Sequence, residues 1–147
     1  MLSVTFDRTS LGLEPLVITS DPEAGVFYLT EKDCGWPQFT MRRTYSPDSE
    51  VISGRRLLAA TSEQGTLPLG IGVHGDQLSD VLAAMDELTD ATTQFSYDLT
   101  LVVDGVTIGT YSAQPEYPNW GSLDSGFVRA NRNEGTVTIP INPPGSV

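Results

Sequence analysis

Residue types able to do nucleophilic, metal or phosphate chemistry are sparse in this chain of 147 residues, which holds one cysteine, Cys34, and one histidine, His74. A thiol hydrolase needs its cysteine beside a base that takes the proton. Cys34 and His74 fall in different segments, and nothing around Asp33-Cys34-Gly35-Trp36-Pro37 resembles a nucleophile motif. Zinc asks for more nitrogen and sulfur ligands than these two side chains supply. Gly70-Ile71-Gly72 is embedded in an apolar alternation and lacks the third glycine of a dinucleotide fingerprint. Asp104-Gly105 lacks the further oxygen ligands of a calcium loop. Carboxylates are plentiful, but glycoside hydrolysis needs two of them facing across a pocket, which abundance does not provide. The expectation is a non-enzyme with no cofactor and no metal.

Charge says more than chemistry does. The net charge is -11, and no Lys or Arg occurs from Leu57 to Val128, a stretch that holds Glu63, Asp76, Asp80, Asp86, Glu87, Asp90, Asp98, Asp104, Glu116 and Asp124. A surface made from it repels phosphate backbones and anionic headgroups, which argues against nucleic-acid and membrane binding. Simple solubility is the plainer use of such acidity. Arg42, Arg43, Arg55 and Arg56 form the basic cluster of this acidic chain. They either pair across strands with nearby acids or dock an acidic surface of a neighbouring subunit. Tyr117 and Trp120, in a Pro-rich loop, either contact a sugar or protein surface or pin the loop to the body of the fold. Trp36 reads as a core or interface anchor.

The elements that would position these residues are mostly strands. Leu2, Val4 and Phe6 alternate with polar residues, the period of a half-buried strand. Leu16-Val17-Ile18, Val26 to Leu29 and Phe39 to Tyr45 continue the pattern, and Val51 to Ala60 reads as strand despite some helical periodicity. Leu67, Leu69, Ile71 and Val73 alternate with Pro68, Gly70, Gly72 and His74, giving one rich face and one bare face that another backbone or chain could approach. Pro68 and Pro140 lack a backbone donor and so require an edge or a bulge.

A helix is expected from about Asp76 to Leu88, with Asp76 as N-cap and Leu78, Val81, Leu82, Met85 and Leu88 as its core stripe. Asp80, Asp86 and Glu87 lie off that stripe, and Asp90 follows in the segment that ends the helix, so these acids face water or a partner. Phe95 to Val103 and Val106 to Thr110 flank Asp104-Gly105, the signature of a two-residue hairpin. Phe127 to Ala130 and Thr136 to Ile141 form an expected final pair. Residues 1–142 therefore read as one β domain and 143–147 as a tail. The first residues lack the basic and apolar regions of a signal peptide, and no apolar run approaches the roughly 20 residues of a membrane span.

This order of a β-rich lead-in, the Leu67 to Val73 strand, the Asp76 to Leu88 helix and the Tyr97 to Ile108 hairpin with Asp104-Gly105-Val106 resembles the N-terminal domain of phage distal tail proteins. These are baseplate ring proteins of long-tailed, non-contractile phages, related in fold to tail-tube proteins. The likeness covers about residues 16 to 142. It implies a split β-barrel or β-sandwich with one flanking helix, assembled as a ring, commonly a hexamer, between the tail tube protein and the tail hub. Such a ring surrounds the channel for the tape-measure protein and DNA, in a virion tail assembled in the host cytoplasm. Asp80, Asp86, Glu87 and Asp90 would then face the channel or a ring neighbour, and a negative lumen would let DNA slide without sticking. Arg42, Arg43, Arg55, Arg56, Tyr117 and Trp120 would make inter-subunit contacts. Members of that family often carry a second, carbohydrate-binding-like domain, and the expectation for these 147 residues is the first domain alone. A tube, terminator or collar adaptor of the same fold is thus the alternative expectation. A small carbohydrate-binding β-sandwich, with Trp36, Tyr117 and Trp120 on one face, is another.

Overall fold

In the computed structural model, which describes residues 1–45, 57–121 and 131–143, the period-2 segments pair as antiparallel strands. They are β1 (Leu2–Phe6), β2 (Leu16–Thr19), β3 (Phe27–Leu29), β4 (Met41–Tyr45), β5 (Leu57–Ser62), β6 (Gly65–His74), β7 (Tyr97–Val103), β8 (Val106–Ala113), β9 (Asn119–Trp120) and β10 (Arg132–Ile141), with one helix, α1 (Leu78–Thr92). One sheet runs β2-β1-β7-β8-β10-β6-β3, and β9 adds to β10. Its edge strands β2 and β3 lie against each other, so the sheet curls into a nearly closed barrel. The expected mainly β architecture with one helix is therefore present, in its barrel form. β4 and β5 stand apart as a two-stranded sheet. The expected strands over 51–56 and 127–130 fall outside the described residues.

Alternation decides what is inside. Val4, Phe6, Ile18, Leu67, Leu69, Ile71, Leu99, Leu101, Val137, Ile139 and Ile141 all point into one buried cluster. Each such side chain contributes roughly 1.5–3 kcal/mol by leaving water. β6 and β10 form the backbone of this arrangement, paired over every residue from Gly65↔Ile141 to His74↔Arg132.

The glycines of β6 do not wait for another chain. A side chain at Gly72 would collide with the ring of Tyr28, its cross-strand partner, and one at Gly70 with Thr30 and Asp33. The bare face is thus covered from within by β3 and the turn that follows it. Pro68 stands beyond the end of β3, where its carbonyl accepts the Gly35 N–H at 3.0 Å and no ladder asks for a donor. Pro140 likewise sits where β10 meets β8 through the Ile141↔Ala113 pair alone. Both prolines occupy the edge-like positions that their missing donors require.

The Asp104-Gly105 hairpin forms as read, with φ of 49° and 80° at the two turn residues, the mirror-image turn that matches strand twist. The helix departs from expectation in three ways. It begins at Leu78 and runs to Thr92, and its N-cap is Gln77, whose N–H donates to the Asp80 carboxylate at 3.2 Å. Asp80 thus satisfies a free donor at the helix start from inside the first turn, and Asp76 is not the cap. The inward face is Val81, Ala84, Leu88 and Ala91. Leu78 and Leu82 are 45% and 51% exposed, so the predicted stripe is rotated away from the barrel by part of a turn. Small alanines let the helix lie close, and a leucine in their place would hold it off.

Candidate functional site

Cys34 and His74 are held apart and each is engaged elsewhere. Gly70 donates its N–H to the Cys34 sulfur at 3.4 Å, and His74 Nε2 lies 2.8 Å from the Pro22 carbonyl. Gly70 and His74 are four residues apart on β6, about 13 Å of extended strand. Burial pushes the Cys34 thiol up, with Asp33 and Glu31 adding to the shift and the Gly70 bond opposing it. That is the reverse of an activated nucleophile. No group of three or more metal-ligating side chains exists among the described residues, and none of their helices is long and apolar enough to cross a membrane.

The basic cluster falls on the separate β4–β5 sheet. Arg42 and Arg43 are successive residues of β4, and the residues directly opposite them on β5 are Thr61 and Ala60. Arg43 is exposed, and no carboxylate among the described residues pairs with it. Arg55 and Arg56 lie outside the described residues. Strand alternation puts Met41, 47% exposed, on the same face as Arg43.

The four helix acids divide by role. Asp80 ties the first turn. Glu87 accepts from Arg8 Nη1 at 2.8 Å, an ion pair that sequence reading missed because Arg8 sits 79 residues away in an unremarked turn. Asp86 and Asp90 are exposed on the outward side of α1. Asp80 and Glu87 instead line a groove of about 700 Å³ between α1 and the chain before and at the start of β3, together with Glu23, Val26, Phe27, His74, Asp76 and Ala83.

The aromatic residues separate as well. Trp120 is half-buried, opposite Gly135 in the β9–β10 pair, and packs against both core clusters. It pins its loop to the barrel. Tyr117 is 73% exposed and Trp36 65% exposed, so Trp36 is not a core anchor. Trp36 borders a recess of about 290 Å³ with Leu2, Cys34, Leu101 and Val103. With Trp120 turned inward, the three rings do not form one platform. Tyr28 anchors a polar contact on the barrel wall. Its hydroxyl donates to Glu134 at 2.8 Å and accepts from Arg132 at 3.0 Å, while the guanidinium also lies 5.5 Å over its ring.

Among the described residues, Cys34, His74 and the helix acids do not converge on one point. No family model matches the chain, and no curated protein matches it in sequence. Solved structures match its fold. A chain of the phage p2 baseplate in its activated conformation superposes over 95% of this chain with a TM-score of 0.57 at 13% identity, and this chain spans 43% of that one. A chain of the 6-fold symmetrised baseplate of the anti-feeding prophage superposes over 97%, with a TM-score of 0.52 at 12% identity, and 89% of that chain is spanned. The barrel with its one described α-helix is thus a fold shared with these two baseplate chains.

Proposed function

We propose that this chain is a structural, non-catalytic component of a phage-type tail, a ring-forming distal tail or minor tail protein that links the tail tube to the tip hub around the channel for DNA and tape measure. The observation that carries this reading is the shared fold with two baseplate chains over nearly the whole length. One of those baseplates is six-fold symmetrised, which supports a hexameric ring of this chain. Asp86 and Asp90, exposed and without a basic neighbour in sequence from Leu57 to Val128, suit a channel wall or a ring contact that DNA does not adhere to. Partners on this reading are further copies, the tail tube protein, the hub and the tape-measure protein, and the setting is the virion tail after assembly in the host cytoplasm.

The experiment is direct imaging. Purified chain, alone and mixed with a tail tube protein from the same genome, is examined by negative stain and mass photometry over a wide concentration range. Rings with a central opening are expected. Monomer throughout, with and without the tube protein, overturns the reading.

A further inference from the structure

We propose that copies of this chain join head to tail, with the Met41 and Arg43 face of the β4–β5 sheet of one copy seated in the acid-lined groove beside α1 of the next. The contact rests on the ring reading above and names the surfaces that would make it.

The β4–β5 sheet is an unfinished element. Two strands alone are at best marginally stable in water and gain by laying one face on another surface. It is tied to the barrel at its base, through the Gln38↔Thr66 bridge and the Glu63 N–H donating to the Thr40 carbonyl at 2.8 Å. Its Met41 and Arg43 stand opposite Ser62 and Ala60. In these two pairs the methionine and the arginine are the larger residues. Arg43 is exposed, and without a carboxylate among the described residues it keeps its charge for another molecule.

The groove has the complementary chemistry. Val26, 43% exposed, lines it with Phe27 and Ala83, and Glu23, Asp76 and Asp80 add negative charge to the same lining. Glu87 also lines it but is already engaged by Arg8. A lining that mixes apolar and acidic side chains fits an occupant with an apolar and a cationic group, which is what Met41 and Arg43 present together.

Placement makes the contact intermolecular. Ser62, beside Met41, lies just before Gly65, the first residue of β6, whereas His74 at the groove is its last. The strand between them is about 30 Å long. The two surfaces therefore sit at opposite ends of one copy and cannot meet within it. Two different, complementary patches displaced this way give a heterologous contact, which repeats from copy to copy and closes into a ring when the rotation allows.

The test pairs crosslinking with charge reversal. Met41→Cys and Val26→Cys proteins, each also carrying Cys34→Ser, are mixed and oxidised. A mixed disulfide is expected in several-fold excess over either protein alone and over a Tyr117→Cys with Val26→Cys control. Arg43→Glu in the Met41→Cys protein is expected to abolish the excess, and Glu23→Arg with Asp76→Arg in its partner to restore it. The excess is also expected to fall in about 1 M salt, where the screening length shrinks to about 3 Å. No excess, or an excess indifferent to Arg43→Glu, overturns the contact. Should Cys34→Ser impair folding, the same charge reversals in the otherwise native chain are read by the assembly state in mass photometry, with loss on reversal and recovery on the double reversal as the supporting result. Rings that form without the Val26 to Met41 crosslink overturn the contact and leave the ring reading standing. Open strings that contain the crosslinked pairs and never close support the contact and overturn the ring.

Discussion

Arg8 donates from Nη1 to Glu87 Oε1 at 2.8 Å and from Nε to the Glu14 carbonyl at 2.6 Å, so one nearly buried guanidinium clamps α1 to the turn after β1. The pair is lopsided, with side-chain exposures of 10% for Arg8 and 46% for Glu87. Arg8→Ala removes both bonds and opens a packed site, and is expected to cost about 2–3 kcal/mol. Glu87→Gln leaves the remaining donor partnered and water within reach, and is expected to cost less than about 1 kcal/mol. Urea midpoints of the two variants measure the asymmetry. Equal losses would mean that the ion pair, and not the burial of Arg8, dominates.

The two leucines of α1 on either side of its inward edge distinguish the observed face from the one periodicity predicts. Leu88 is fully buried and Leu82 is 51% exposed. Leu88→Ala is expected to cost about 2–5 kcal/mol, in the range of buried truncations. Leu82→Ala is expected to stay within about 0.5 kcal/mol of the parent in a monomeric sample, as surface changes do. Thermal or urea unfolding of both settles the orientation of the helix.

Gly72 and Tyr28 share one cross-strand position of the sheet, with the ring occupying the space where a side chain at Gly72 would go. Gly72→Ala is expected to destabilise by about 1–3 kcal/mol through overpacking. In a Tyr28→Ala background the same substitution is expected to cost much less, and a double-mutant cycle reads the coupling.

Cys34 is expected to alkylate slowly with iodoacetamide at neutral pH and to react fully once urea unfolds the chain. Burial raises its pKa in the folded state, so the folded form resists becoming a thiolate. The associated stability is present below the thiol's ordinary value of about 8.5 and is lost as pH climbs above it. A urea midpoint that falls over that range in the parent, and falls less in Cys34→Ala, is the expected result.

Much of the fold was legible because it rests on local rules. Asp104-Gly105 demanded its turn, and the alternations from Leu2, Leu67 and Phe95 onward marked three strands, although Phe95 itself, 92% exposed, lies before β7. The helix was visible but its face was not. Pattern reading weighs large aliphatic residues, while α1 packs through Ala84 and Ala91, whose small size suits close approach and leaves a weak signal. The cap was misread for a related reason, since Asp76 and Asp80 are both plausible acids and the path of the chain out of Gly75 decides between them. At the candidate surfaces, single residues were found but not their grouping. Nothing local tells that Glu23 and Val26 come beside Asp76 and Ala83, because β3 reaches them only by pairing with β6. The covering of Gly70 and Gly72 by Thr30, Asp33 and Tyr28 is hidden in the same way.

The unbroken register of β6 with β10, from Gly65↔Ile141 to His74↔Arg132, has a mechanical consequence. Tension drawn along these two strands in opposite directions would load every bond of the ladder at once, in shear, so that none could fail singly as the teeth of a zipper do. A force that slides β6 past β10 thus meets all ten residue pairs of the ladder together.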